Sequence, residues 1–283
     1  MISDFFLALL LAIIQGLTEF LPISSSAHLL LPSLLFGSND LGLPFDIAVH
    51  AGTLVAVIYF FRTDILLMIR SIYTNEASLK KNRNLALQLI IGTIPIVFVG
   101  FIFKDLIGQR LFSVSSIALS NIFFAIILLF AFLKNKSDKT IYQVTIYSAL
   151  FIGFVQCFAL IPGASRSGTA ITAALLLGLS LKDASRFAFM LGIPTILGAL
   201  VLLLFEIQTT DVSLNFAVLI IGFLVSMIFA FLTIKLFLSF VEKIGMMPFV
   251  IYRLLLGAIL ISVSYTHLRA HETLRYLVCR LLL

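Results

Sequence analysis

Glu19, Ser25, His28 and Arg166 are the residues of this 283-residue chain whose types and surroundings can do chemistry. Three of them share one polar stretch, QGLTEFLPISSSAH over residues 15–28. Glu19 precedes Pro22, which frees a backbone carbonyl and can turn the chain. The hydroxyls of Ser24, Ser25 and Ser26 follow, and His28 lies three residues beyond Ser25. If Ser25 to His28 begin a helical arm, that spacing puts both on one face. A Ser–His pair with a carboxylate nearby activates a hydroxyl nucleophile. The other reading is local: the serines cap the arm and act as hydroxyl glue between helices, as is common in membranes.

The second cluster is PGASRSGT over residues 162–169. Small residues let the backbone turn and present N–H groups at a helix start, and Arg166 adds a planar five-donor fork. Ser165, Ser167, Gly168 and Thr169 surround it. By chemistry this is a phosphate cradle. The alternative is that Arg166 pairs with a buried carboxylate such as Glu19. A nucleotide loop is excluded by the lack of a G-x-x-x-x-G-K-[ST] stretch. Asp46 and His50 stand four residues apart, either as supporting groups at the outer mouth or as an interfacial cap and a snorkelling histidine. Lys235, Lys243 and Arg253 are expected at cytoplasmic helix ends.

Composition decides what must position these groups. The chain is 61% hydrophobic and 11% charged, with a mean hydropathy of +1.17; soluble domains carry about 25% charged residues. A soluble globule, a disordered chain, a coiled coil and a nucleic-acid binder are all excluded. A polytopic, all-α membrane protein remains. The net charge of +6, from 19 Lys+Arg against 13 Asp+Glu, marks cytoplasmic loops. Cys157 and Cys279 are isolated and suggest neither a disulfide framework nor a sulfur-ligated metal. The N-terminus carries Asp4 and lacks the features of a cleaved signal peptide.

Apolar runs and breakers recur in order. Residues 5–14 and 29–36 flank the first polar break, and each arm is too short to cross a hydrocarbon core of roughly 30 Å. Runs 45–61, 85–103 and 113–133 follow. Then 143–161 leads to the second break, 169–179 follows it, and 187–205, 214–240 and 248–263 complete the pattern. The chain reads as one membrane domain, 1–263, made of two units, 1–133 and 141–263. Each unit has one re-entrant helical hairpin and three transmembrane helices. Basic segments 62–84 and 134–140, Lys182, Arg186 and Lys243 belong in the cytoplasm, and Asp40, Glu206 and Asp211 outside. That alternation makes the units an inverted repeat whose polar tips meet near the midplane. After Val263 hydropathy collapses into a basic tail, 264–283, which reads as a non-native addition. His267 and His271 are therefore not taken as metal ligands.

With both motifs in place, the chain resembles the undecaprenyl-diphosphate phosphatase family, also called the bacitracin-resistance family, over residues 1 to about 263. The resemblance implies a multi-pass enzyme of the bacterial inner membrane. It would hydrolyse undecaprenyl diphosphate to the monophosphate carrier that cell-wall synthesis reuses. It implies a divalent cation, Mg²⁺ or Ca²⁺, membrane lipid as partner, and a homodimer, since members often form dimers. Residue by residue, Glu19 would help hold the cation, Ser25 and His28 match the motif's serine and histidine, and Arg166 with Ser165 and Ser167 matches the phosphate signature. Gly168, Thr169, Ser24 and Ser26 would complete the phosphate surroundings. Where the family pattern has a first Glu, this chain has Gln15, so the cation would be held by Glu19 with the help of Gln15's amide oxygen, water or substrate phosphates. Ser25 and His28 both stand as candidate nucleophiles. The inverted-repeat plan also suits a transporter or scramblase of a prenyl-phosphate lipid.

Overall fold

In lipid every backbone N–H and C=O must find a partner within the protein, so long apolar runs become helices. The computed structural model describes residues 2–38, 41–74, 76–104, 113–207 and 215–281, and the described residues form eleven α-helices joined by short turns. In chain order these are α1 (Ile2–Thr18), α2 (Ser25–Phe36), α3 (Gly42–Phe60), α4 (Arg62–Tyr73), α5 (Lys80–Ile102), α6 (Val114–Lys134), α7 (Ile146–Gln156), α8 (Arg166–Leu176), α9 (Leu181–Ile207), α10 (Phe216–Ile244) and α11 (Met247–Leu281). Among the described residues, six helices are long and apolar enough to span a membrane: α3, α5 with the turn before it, α6, α9, α10, and α11 as far as Ser264. The protein is an all-α, polytopic membrane protein.

Helix boundaries follow local chemistry. Ser113, Thr145 and Asn215 each cap a helix start by accepting the N–H three residues on. Gly37 ends α2 in the left-handed region at φ 62°, donating its N–H to Ser33. One expectation is corrected. The basic segment 62–84 is no simple loop: a single residue, Phe61, separates α3 from α4. The new helix exposes Leu66, Ile69, Ile72 and Tyr73 while carrying Arg62 and Arg70, the make-up of a helix lying in a membrane interface.

Close backbone approach holds the bundle together. A Cβ on Gly16 of α1 would strike the Ser226 carbonyl of α10 at 2.7 Å, and Gly153 of α7 packs directly on the Gly92 backbone of α5. Small residues at such crossings replace the hydrophobic drive that lipid cannot supply. α3 lies along α10, α9 along α5, and the pairs α3–α9 and α6–α11 also pack together. The basic segments gather at one end: Lys139 and Gly178–Ser180 exchange backbone hydrogen bonds, Arg186 reaches Asp64 at 3.4 Å, and Lys182 reaches Glu242 at 3.7 Å. Leu41 and Val218 pack in one cluster of their own. Asp40 and Asp211 lie outside the described residues, as does the side chain of Glu206. Outward faces carry large apolar residues such as Phe98, Phe130, Phe205 and Phe240.

Candidate active site

Both polar breaks are built alike. Ser24 (φ 74°) and Ser165 (φ 72°) are the only non-glycine residues with positive φ among the described residues, and each stands immediately before a helix, α2 or α8. Side chains tolerate that conformation at a cost of order 1–3 kcal/mol, so the surroundings must enforce it. They do so reciprocally. The Gly163 N–H donates to Ser24 Oγ at 3.2 Å, and Ser167 Oγ donates to the Leu21 carbonyl at 2.9 Å. Within each turn the hydroxyls pair, Ser24 with Ser26 at 3.2 Å and Ser165 with Ser167 at 3.3 Å. The two turns thus meet tip to tip.

Glu19 is the hub of this junction. Its carboxylate is buried and takes donors from both turns: Ser25 Oγ donates to Oε2 at 2.8 Å and Arg166 Nη2 to Oε1 at 2.8 Å. Gln15 Nε2 donates to Oε2 at 2.9 Å from one helical turn earlier. His50 Nε2 lies 3.9 Å from the same oxygen. The Arg166–Glu19 pairing anticipated from sequence is therefore present. A buried ion pair repays its desolvation only with further hydrogen bonds. Arg166 has one to the Ala188 carbonyl at 3.3 Å, and its guanidinium lies over the Phe20 ring at 5.6 Å. Gly192 on α9 leaves the room, since a Cβ there would strike that guanidinium.

Ser25 and His28 are not hydrogen-bonded to each other. His28 Nδ1 contacts the Ser24 carbonyl at 2.7 Å and Nε2 the Tyr252 hydroxyl at 2.6 Å, with the two rings stacked. Both ring nitrogens are engaged, so the group placed to receive the Ser25 proton is Glu19. On the other turn, Ser165 Oγ accepts the Gly168 N–H at 3.1 Å and Thr169 Oγ1 donates to the Arg166 carbonyl at 3.0 Å. The N–H groups of Arg166 and Ser167 open α8, where helix geometry supplies no intrahelical acceptor. His50 Nδ1 contacts the Asp46 carbonyl at 2.7 Å.

Arg253 corrects the sequence reading. Lys235 and Lys243 are exposed, but Arg253 is fully buried at the junction. It donates to Pro22 O (3.3 Å) of one turn and to Gly163 O (2.7 Å) and Ala164 O (3.2 Å) of the other. Asn121 on α6 fixes it: Arg253 Nε donates to Asn121 Oδ1 at 2.8 Å, and Asn121 Nδ2 donates to the Arg253 carbonyl at 3.0 Å. One guanidinium thus bolts both turns to α11 and α6. Its place six residues into the apolar run 248–263 was the available signal, since an ionisable residue inside a span is a site candidate.

A hydroxyl on a carboxylate, an arginine sharing that carboxylate, and helix-start N–H groups beside them are the chemistry that an anionic phosphorus centre requires. An undecaprenyl-diphosphatase of Saccharophagus degradans is 49% identical over 259 residues, covering 90% of this chain and 96% of that protein. The profile described as bacitracin resistance protein BacA matches residues 8–259, which takes in both turns, Arg253 and all six spans but for the end of the last. The chain therefore belongs to the bacitracin resistance protein BacA family.

Proposed function

We infer that this chain is an undecaprenyl-diphosphate phosphatase, a multi-pass hydrolase of the bacterial inner membrane that returns undecaprenyl phosphate and inorganic phosphate for cell-wall synthesis. The observation that carries the reaction is the Glu19 carboxylate, reached at 2.8 Å by Ser25 from one turn and at 2.8 Å by Arg166 from the other. The diphosphate competes with Glu19 for Arg166, since a phosphate offers the same planar fork a more highly charged partner. Glu19, released from that pair, takes the Ser25 proton. Ser25 Oγ attacks the terminal phosphorus, the anhydride P–O bond breaks, and undecaprenyl phosphate leaves. Glu19 gives that proton to the departing phosphate oxygen, then takes one from the water that attacks phosphoserine and returns it to Ser25 Oγ as inorganic phosphate leaves. Arg166 and the opening N–H groups of α8 neutralise charge on the transferring phosphoryl. His28, held by Ser24 and Tyr252, shapes the Ser25 turn in this reading.

The divalent cation expected of the family fits the donor types present: Gln15 lies against the Glu19 carboxylate through Nε2, and its buried Oε1 has no hydrogen-bond partner. Glu19 and Gln15 would hold it, and it would supply Lewis-acid neutralisation of the phosphate oxygens. Two inverted units best account for the architecture. Their exchange carries α1 on α10 into α7 on α5, and α3 on α10 into α9 on α5, while α3–α9 and α6–α11 map onto themselves. The test is phosphate release from undecaprenyl diphosphate in detergent with Mg²⁺, with EDTA, and with Glu19→Gln. Release that EDTA stops, and that falls at least about 100-fold in the variant, is expected. Wild-type release by Glu19→Gln contradicts the assignment.

A further inference from the structure

His50 has a fixed tautomer and an unexplained neighbour. Its Nδ1 lies 2.7 Å from the Asp46 carbonyl, an acceptor, so Nδ1 carries the proton. In the neutral ring the lone pair then resides on Nε2. That atom faces Glu19 Oε2 at 3.9 Å. Oε2 carries no proton of its own, because Ser25 and Gln15 both donate to it. With the ring neutral, two lone-pair atoms confront each other across a gap too wide for a hydrogen bond. The gap is one that two metal–ligand bonds of about 2.1 Å each can bridge.

A third acceptor is carried by a residue that already touches Glu19. Gln15 is completely buried, and its Oε1 has no hydrogen-bond partner although its Nε2 donates to Glu19. Turning the amide over would bring that oxygen to Glu19 in place of the nitrogen, a change that only a cation between them would favour. Carboxylate, imidazole, amide oxygen and the Ser25 hydroxyl then make a mixed set. No group of three His, Cys, Asp or Glu side chains occurs among the described residues, so an ion held here takes neutral oxygen donors as well.

We propose that His50 is a ligand of the divalent cation, supplying through Nε2 the donor that Gln15, being neutral, does not supply as a second carboxylate. This rests on the phosphatase reading above and deepens it. The nitrogen donor tilts the site away from the all-oxygen preference of Ca²⁺ and toward first-row transition ions. Two cations, the metal and Arg166, then share one carboxylate, so the diphosphate's own charge completes the balance and metal affinity rises when it is present.

The experiment is electron paramagnetic resonance of Mn²⁺ on the full chain in lipid nanodiscs, with and without methylenediphosphonate. Bound Mn²⁺ is counted from the loss of free signal, and nitrogen ligation is read from ¹⁴N echo modulation. Expected are a bound ion whose ¹⁴N modulation converts to ¹⁵N in chain grown with ¹⁵N-imidazole histidine, and a loss of that modulation in His50→Gln. Mn²⁺ affinity in that variant should fall at least about 10-fold, the lower end of what losing even an outer partner costs. Bound Mn²⁺ without histidine modulation, or modulation that persists in His50→Gln, overturns the ligand assignment while leaving the phosphatase reading standing. Absence of any bound Mn²⁺ overturns the assignment and the cation reading together. The labelled wild-type chain keeps the result independent of how the variant folds.

Discussion

Three donors, Gln15, Ser25 and Arg166, converge on one carboxylate at the centre of this protein, and the proposed chemistry is argued from their separations. Ser25 is the hydroxyl on Glu19, and Arg166 is the cation on its other oxygen. Both motifs were legible in the sequence because each is a continuous run with a breaker inside it. The partner of Ser25 was not. Helical spacing put Ser25 and His28 on one face, whereas contact across the turn gave Ser25 to Glu19 and His28 to Tyr252. Arg253 was also misplaced, since only tertiary packing brings it to carbonyls 90 and 231 residues away in the chain. Its replacement should be costly. Arg253→Met leaves three turn carbonyls and Asn121 without their donor, at about 1–3 kcal/mol for each group left unsatisfied. Thermal unfolding in detergent should show a clear drop in midpoint, with activity lost in parallel; an unchanged midpoint would show that the turns hold without the clamp.

The elements were easier to read than the contacts, because the need to satisfy backbone groups in lipid ties helix existence to apolar length. The six spans among the described residues overlap the runs 45–61, 85–103, 113–133, 187–205, 214–240 and 248–263, the second and fourth starting earlier, at Ala77 and Leu181. The exception, α4, was hidden by its charge: Arg62, Asp64 and Arg70 read as loop residues until their helical spacing is placed beside the apolar face they interrupt. The short arms α1–α2 and α7–α8 are the elements on which inversion is decided. If the two units are inverted, Ser38 beyond α2 faces outside and Ser137 beyond α6 faces the cytoplasm. Ser137 is exposed and Ser38 half-buried. Single cysteines at these positions, with Cys157 and Cys279 replaced by serine, should react oppositely with an impermeant maleimide on intact spheroplasts: Ser38→Cys labelled, Ser137→Cys protected. Labelling of both from one side would rule the inversion out.

At the scale of the whole molecule, two groupings of charge stand out among the described residues. Exposed Arg62, Lys134, Lys136 and Lys139, with half-buried Arg186, gather at one end of the bundle, while the buried charges Glu19 and Arg253, with Arg166 nearly so, meet at the contact of the two turns. Between them the long helices present apolar faces suited to acyl chains. A water-insoluble substrate with a charged head can thus keep its tail in lipid while its head reaches the junction. The tail 264–283 lies beyond the family match and, but for Ser264, beyond the last candidate span, and it is given no part in the reaction.

The central claim is that Ser25 and Glu19 act as one unit on the terminal phosphorus. A double-mutant cycle of phosphate release from undecaprenyl diphosphate, using Ser25→Ala, Glu19→Gln and the two combined, tests it most directly. Residues that serve a single step are strongly non-additive. Each single variant should lose at least about 100-fold in kcat, and the double should be no slower than the worse single within about threefold. A double variant whose loss equals the product of the two single losses would mean that the hydroxyl and the carboxylate work independently, and would contradict the account.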